Sequence, residues 1–208
     1  MNLNGRIEIK YALGVFGGTF DPPHIGHLIL AAEALYQLGL KKILWVLTPQ
    51  PPHKHERKIS PLDERYAMLN SMLAGDPFFE ISRVDIDREP PHFAFETMRI
   101  LHRKYPDANL VYLMGADSLL DLPTWRQSRS FVEACDAIGV MSRPGRSVDL
   151  NILDSKLPGL CSRVRFIKAP LLEISSSQLR ERISNNQPFR YFVPPPVYQL
   201  IIDRNLYC

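Results

Sequence analysis

Two histidines stand three residues apart in a short segment that is rich in glycine and proline. The segment is GVFGGTFDPPHIGH, residues 14–27, and the histidines are His24 and His27. Residues at positions i and i+3 of a helix lie on one face, so a helix here would point both imidazoles at the same place. Imidazoles donate and accept hydrogen bonds and can carry charge near neutral pH. This pair is the first candidate for chemistry.

The residues before the histidines predict a turn from a strand to a helix at Gly17 and Gly18. Paired glycines let a backbone approach a bulky anion closely, and the free amides at a helix start favour phosphate. We expect Asp21 to cap the helix, with Pro22 or Pro23 in its first position. A zinc site is a poorer interpretation, because no third His, Cys or carboxylate stands at ligand spacing.

A second candidate segment, EISSSQLR, contains Ser175, Ser176 and Arg180. Serines ahead of a helix offer hydroxyls and amides to an anion, and the arginine fork suits phosphate oxygens. Simple helix capping beside a solvated arginine explains the same residues equally well.

Three further positions have both a binding and a structural interpretation. Asp117, which follows Gly115 at the end of LVYLMGAD, could accept hydrogen bonds from ribose or cap a helix. Trp125 is by itself more typical of a core than of a stacking surface. Lys54 in the loop PPHKHERK could reach a phosphate or remain solvated, whereas we interpret Arg65 as an ion-pair or packing residue.

The elements that must position these residues alternate along the chain. Apolar runs such as ILWVL and LVYLM lack period-two alternation, which is typical of central strands covered on both faces. Amphipathic segments such as LILAAEALYQLGL lie between them, and Gly39 stands where a left-handed C-cap is expected. The pattern predicts a Rossmann-like, doubly wound α/β fold with a mostly parallel sheet. The sequence of residues 142–160 is the least periodic and predicts a loop with at most one short helix.

Composition favours one ordinary domain over residues 1–208. A net charge of +3 from scattered basic residues argues against a nucleic-acid polymer as partner. Three cysteines in no metal or disulfide pattern favour a reducing compartment, so we expect a cytoplasmic protein. The sequence contains no apolar run of about 20 residues, so no membrane span is predicted. No pattern indicates an oligomeric state.

The string GGTFDPPHIGH, with HIGH at residues 24–27, resembles the signature of the nucleotidylyltransferase superfamily. The fuller pattern resembles the bacterial nicotinate-mononucleotide adenylyltransferases. PPHK, RYAML, MGADSLLDLPTW, ISSSQLR and VPPPVYQLIIDRNLY agree with that family in order. The resemblance spans roughly residues 11–207 and implies transfer of AMP from ATP to nicotinate mononucleotide, forming nicotinate adenine dinucleotide and pyrophosphate.

The resemblance also implies roles for individual residues. His24, His27 and Arg180 would be catalytic, and Trp125, Thr97 and Lys54 would contact the mononucleotide. No protein metal site is implied, and Mg²⁺ would arrive with ATP. The implied ATP contacts are Gly17, Gly18, Thr19, Phe20, His24, His27, Gly115, Asp117, Ser175, Ser176 and Arg180.

One segment departs from the family pattern. Where the family has Ser-Tyr-Thr and then Asp-Thr, this chain has HFAFETM, and only Thr97 agrees. In the family that region borders the pyridine carboxylate, although backbone amides could still bind it. This departure leaves the same reaction with nicotinamide mononucleotide as an alternative. Two further alternatives are another adenylyltransferase of the superfamily and a nucleotide sensor without turnover.

Overall fold

One parallel sheet organises the chain. The computed structural model describes residues 11–50, 59–141, 148–170 and 172–208. Six strands in these ranges pair in the order β3-β2-β1-β4-β5-β6, all parallel. Their bounds are β1 Tyr11–Gly18, β2 Lys42–Leu47, β3 Phe79–Ser82, β4 Ala108–Gly115, β5 Ala137–Met141 and β6 Val164–Ile167.

Helices connect the strands and cover both faces of the sheet. They are α1 Ile25–Gln37, α2 Leu62–Leu73, α3 Ala94–Lys104, α4 Ala116–Asp121, α5 Ser128–Glu133, α6 Leu150–Lys156, α7 Leu160–Arg163, α8 Ser176–Ser184 and α9 Pro195–Asp203. Short 3-10 turns lie at Leu122–Thr124 and Arg190–Phe192. None of the described helices is both long and apolar enough to cross a bilayer.

Alternate residues of the central strands enter two apolar cores. In β2, Leu44 and Val46 pack with α3 and α5, whereas Ile43 and Trp45 pack with α1 and α2. Strands buried on both faces need no polar alternation, which explains their continuous apolar sequences. The prediction of a doubly wound α/β fold is confirmed.

The strand order places the candidate site at a reversal of chain direction. From β1 the chain winds outward to β2 and β3, then returns to β4 beside β1 and winds the other way to β5 and β6. Loops leaving the carboxyl ends of β1 and β4 therefore diverge, which opens a crevice between them. Ligands bind at such a crevice in open α/β sheets.

Two local predictions about the start of α1 are wrong. The helix starts at Ile25 with His24 as N-cap, so Asp21 does not cap it, and Pro22 and Pro23 precede the cap. The Asp21 carboxylate is instead buried, with hydrogen bonds to distant parts of the chain.

Two other local predictions are confirmed. Gly39 follows α1 in the left-handed conformation, with φ of 59°. Within residues 148–160, the described part of the predicted loop, the chain forms the short helix α6. Asp149 caps this helix by accepting from the amides of Asn151 and Ile152. Residues 142–147 of the predicted loop lie outside the described ranges.

Arg65 joins the loops that follow β1 and β2. Its side chain is buried, and its guanidinium donates to the carbonyls of Thr19 and Thr48 at 3.0 and 2.9 Å. It also donates to the carbonyls of Pro49 at 2.8 Å and Ser60 at 2.9 Å. Burial lowers the pKa of Arg65, and the nearby Asp21 carboxylate acts in the opposite direction. The interpretation of Arg65 as a packing residue is confirmed.

Replacing Arg65 with lysine tests this anchor. Lysine presents its donors at one point and cannot reach four separate carbonyls, so Arg65→Lys should lower the free energy of unfolding by about 2–4 kcal/mol. Urea denaturation measures the change. Arg83→Lys, in the exposed pair with Asp87, is the matched control and should leave the midpoint unchanged. Equal midpoints for the two variants would contradict the role given to Arg65.

Candidate active site

Two cavities meet where β1 and β4 end. The larger, of about 600 Å³, lies beside the starts of α1 and α8. The smaller, of about 300 Å³, lies beside the start of α3. Residues that line both cavities are Phe16, Gly18, Thr19, Gly115 and Ser118. Two ligands could therefore lie side by side with their ends meeting at Gly18 and Gly115.

The two histidines lie together on the wall of the larger cavity. Their rings stack with centroids 3.7 Å apart and planes inclined by 27°. The backbone amide of His24 donates to Nδ1 of His27 at 3.1 Å, so the neutral His27 ring has its proton on Nε2. The prediction that both side chains point to one place is confirmed.

His24 is buried and favours the neutral form. Burial lowers its pKa from 6.5 to about 4. Its Nδ1 atom is buried and has no hydrogen-bond partner among the described residues. Near neutral pH the free protein therefore offers a hydrogen-bonding imidazole at this position rather than a fixed positive charge.

Gly26 has a packing role between the histidines. A Cβ at this position would lie 3.1 Å from Nδ1 and 3.2 Å from Cε1 of His24. Any larger residue would press on the His24 ring. Glycine therefore allows the stacked arrangement of the two imidazoles.

The glycine pair at the end of β1 also serves the protein's own packing. A Cβ at Gly17 would lie 2.7 Å from the Tyr112 hydroxyl, and one at Gly18 would lie 2.8 Å from the Phe20 ring. Gly115 differs, because a Cβ there would meet no atom within 4 Å. Gly115 lines both cavities, so its open side faces the space that they share.

The starts of α1 and α8 line the same cavity. Ser175 caps α8: its Oγ accepts from the Gln178 amide at 3.2 Å, and Gln178 Oε1 accepts from the Ser175 amide at 3.1 Å. First-turn amides have no intrahelical acceptor, and the helix dipole makes these ends positive. Two such ends in one cavity form a site suited to a polyanion.

Contacts between distant segments fix α8 against the histidine loop. Ser176 Oγ donates to the Pro22 carbonyl at 2.8 Å, and Arg180 Nη1 donates to the Asp21 carbonyl at 2.6 Å. Arg180 also donates through Nη2 to Ser177 at 3.2 Å. These two bonds use two of its five donor hydrogens, so phosphate binding is compatible with this structural role.

Asp21 connects the loop to the end of the chain. The Tyr207 hydroxyl donates to Asp21 Oδ1 at 2.7 Å, and the Ser60 amide donates to Oδ2 at 3.2 Å. Burial, with a smaller effect of the Asp21 charge, raises the pKa of Tyr207 above its ordinary value. Sequence reasoning missed this pair, because nothing local links residues so far apart.

The smaller cavity has aromatic walls. Trp125 is half-buried, with its ring centroid 5.3 Å from that of Phe131 and 6.4 Å from that of Tyr112. Phe16, Phe93 and Phe95 add to the aromatic lining. A flat ring fits such walls, and Trp125 is the expected stacking surface.

Thr97 lies in the wall of this cavity within a buried polar network. Its hydroxyl donates to Asp85 Oδ1 at 2.8 Å and accepts from Arg88 Nη2 at 3.2 Å. Arg88 and Asp85 also form an ion pair at 2.9 Å. Thr97 thus stabilises the wall through its hydroxyl, and sequence reasoning did not identify Asp85 or Arg88.

Of the remaining predicted residues, three line the larger cavity and one lies outside the described residues. Asp117 lines the larger cavity in the first turn of α4, whose N-cap is Gly115, so the capping interpretation of Asp117 is wrong. Thr19 and Phe20 also line that cavity. Lys54 lies outside the described residues.

Known proteins share this sequence pattern over most of its length. Residues 15–182 match the cytidylyltransferase-like family model. A protein of Thermomicrobium roseum named probable nicotinate-nucleotide adenylyltransferase is 43% identical over 195 residues, covering 94% of this chain and 91% of that protein. One of the same name from Corynebacterium glutamicum is 40% identical over 201 residues, covering 97% and 90%. The chain belongs to this family of nicotinate-nucleotide adenylyltransferases.

A solved structure agrees with the fold of this family member. The nicotinic acid mononucleotide adenylyltransferase of Plasmodium falciparum, complexed with NaAD, superposes with a TM-score of 0.77. The match covers 95% of this chain and 97% of the other at 18% identity. The resemblance inferred from GGTFDPPHIGH is confirmed at the level of family and fold.

The depressed pKa of His24 predicts how the stability of this adenylyltransferase depends on pH. The unfolded chain binds the His24 proton more tightly than the folded protein does. The free energy of unfolding should therefore be unaffected by His24 above pH 6.5 and fall by up to about 3 kcal/mol as the pH drops to 4. Urea denaturation at several pH values measures this, with His24→Gln as the non-titrating reference. Parallel curves for the two proteins would contradict the burial effect.

Proposed function

We propose that this chain transfers AMP from ATP to nicotinate mononucleotide, releasing pyrophosphate and forming nicotinate adenine dinucleotide. The observation that carries the proposal is the pair of cavities joined at Gly18 and Gly115. One is suited to a polyanion and the other to an aromatic ring. The names of the relatives and the NaAD complex of the Plasmodium falciparum protein support this choice of substrate.

ATP occupies the larger cavity in this proposal. Its outer phosphates lie at the start of α8, near Ser175, Ser176 and Arg180, and its α-phosphate lies at the start of α1 near the histidines. Asp117 accepts hydrogen bonds from the ribose. The first-turn amides of the two helices and the arginine supply donors that match phosphate oxygens.

The mononucleotide occupies the smaller cavity. Its pyridine ring stacks on Trp125, and Thr97 holds the wall behind it. Lys54 is proposed to reach the mononucleotide phosphate. That phosphate would lie near Gly18 and Thr19, where the two cavities meet.

The reaction needs positioning more than acid–base chemistry. The mononucleotide phosphate has a second pKa of about 6, so it is mostly dianionic at neutral pH and needs no general base. One of its oxygens attacks the α-phosphorus, a new P–O bond forms, and the bond to the bridging oxygen of pyrophosphate breaks. Catalysis comes from holding two anions in line and stabilising the charge on the α-phosphate. No covalent enzyme intermediate is needed.

His24 and His27 stabilise that charge as hydrogen-bond donors in this proposal. Because Nδ1 of His27 accepts from the His24 amide, the neutral ring carries its proton on Nε2, and we propose that Nε2 donates to a phosphate oxygen. The unpartnered Nδ1 of His24 donates to a phosphate oxygen when it carries the ring hydrogen, either in that neutral tautomer or after uptake of a proton. Binding of the anion thus offsets the cost of leaving that atom without a partner.

Mg²⁺ enters as the complex with ATP. Of the two aspartates that line the larger cavity, Asp21 uses both carboxylate oxygens within the protein. The described residues contain no cluster of three metal-ligating side chains. We propose that the ion is held by substrate phosphates and water, as is usual for Mg²⁺. Bound in this way, Mg²⁺ would supply positive charge beside the leaving pyrophosphate, next to the donors of Ser175, Ser176 and Arg180.

A product assay with two substrates tests the function. The purified protein is incubated with ATP, Mg²⁺ and either nicotinate or nicotinamide mononucleotide, and dinucleotide formation is quantified. We expect at least about 100-fold preference for nicotinate, equivalent to roughly 2.7 kcal/mol. Comparable rates would favour a relaxed substrate choice, and no product from either would favour a sensor or another transferase.

His27→Ala is the variant that connects this activity to the site. Loss of one preorganised donor should lower kcat by roughly 100-fold or more. His102→Ala, at a histidine outside both cavities, is the matched control. Near-normal turnover in His27→Ala would remove the histidine pair from the mechanism.

A further inference from the structure

A second buried histidine lines the smaller cavity. His92 is only 5% exposed, and its Nδ1 atom has no hydrogen-bond partner among the described residues. Buried polar atoms are almost always paired, since an unpaired one loses its hydration without compensation. A ligand group in the cavity would supply the missing partner.

The other ring nitrogen fixes the protonation of the neutral ring. His92 Nε2 lies 3.2 Å from the carbonyl oxygen of Arg88, and a carbonyl can only accept. Nε2 therefore carries the hydrogen, and Nδ1 carries a lone pair. Arg88 is itself fixed by its ion pair with Asp85 and by donation to the Pro91 carbonyl at 2.8 Å.

The surroundings of His92 favour an anion. Ala94 and Phe95 line the cavity in the first turn of α3, where no described backbone acceptor pairs with their amides. Arg126 lines the cavity, and its guanidinium carbon lies 5.7 Å from the centre of the Phe93 ring. The other charged or titratable groups at this wall are Asp85 and Tyr112, with Arg88 behind His92. Asp85 is paired with Arg88, and Glu96 in the same turn is paired with Arg99, so Arg126 and the first-turn amides make this wall favourable to an anion.

We propose that His92 selects between a carboxylate and a carboxamide on the pyridine ring, by taking up a proton on Nδ1 when nicotinate mononucleotide binds. The proton comes from solvent and makes Nδ1 a donor to the carboxylate, while Nε2 keeps its bond to Arg88. A carboxamide can instead donate to the lone pair of the neutral ring, so nicotinamide mononucleotide binds without this proton. This inference rests on the proposed function and names the group that sets its substrate preference.

Calorimetric titration of the wild-type protein tests the proton uptake directly. Each mononucleotide is titrated at one pH in phosphate and in Tris, whose different ionisation enthalpies reveal the protons exchanged. Both ligands carry the same ribose phosphate, so its contribution cancels in their difference. We expect nicotinate mononucleotide to take up about one proton more than nicotinamide mononucleotide does. Equal uptake would overturn the proposal.

Variants of His92 distinguish a role in substrate selection from a role in packing. His92→Leu should raise the KM for nicotinate mononucleotide at least about tenfold and abolish the extra proton. It should raise the KM for nicotinamide mononucleotide by a smaller factor, because that ligand loses only a neutral hydrogen bond. His92→Asn places a neutral amide donor near the position of Nδ1, so it should regain part of the preference without proton uptake. His102→Leu, which removes a similar bond to the Ala134 carbonyl outside the cavity, is the control. An equal loss with both substrates in His92→Leu would overturn the selecting role.

The results distinguish failure of this inference from failure of the proposed function. If the wild-type protein binds both mononucleotides and makes no dinucleotide, the proposed function fails while the proton difference still tests His92. If dinucleotide forms and proton uptake is equal, only the role of His92 fails. If neither mononucleotide binds, both are wrong.

Discussion

The buried guanidinium of Arg65 is the interaction on which the site depends. It holds the carbonyls of Thr19 and Thr48, which follow β1 and β2. Thr19 lines both cavities and Thr48 lines the smaller one. Because a planar fork reaches several carbonyls from one position, one side chain sets the spacing of both loops. The location of the reacting groups follows from that spacing.

The larger cavity is completed by residues from the far end of the chain. Ser176, Arg180 and Tyr207 all bond to the Asp21–Pro22 segment that precedes the histidines. These contacts make the carboxyl-terminal helices part of the site as well as part of the fold. They also explain how serine and arginine side chains can have both a structural role and a place beside the phosphates.

Sequence patterns predicted the elements, the histidine pair and the packing role of Arg65, because these depend on local spacing and burial. They failed where a residue's partner lies far away in sequence. Asp21 stands where a helix cap is expected, and the local sequence does not reveal that its carboxylate bonds to Tyr207 at the far end of the chain. The roles of Gly17 and Gly115 were not separated, because only the fold places Tyr112 against one and open space beside the other. The sequence likewise did not indicate a role for His92, because only the fold shows that its Nδ1 atom is buried without a hydrogen-bond partner among the described residues.

The central claim is that two substrates meet at Gly115, and Gly115→Val tests it most directly. The residue has an extended backbone with φ of −81°, so valine is allowed there and its side chain would enter the shared space of the cavities. Calorimetric titration with Mg–ATP and with nicotinate mononucleotide should show each affinity reduced at least about tenfold, with an unchanged urea midpoint. Undiminished affinity for both ligands in a folded variant would contradict the account.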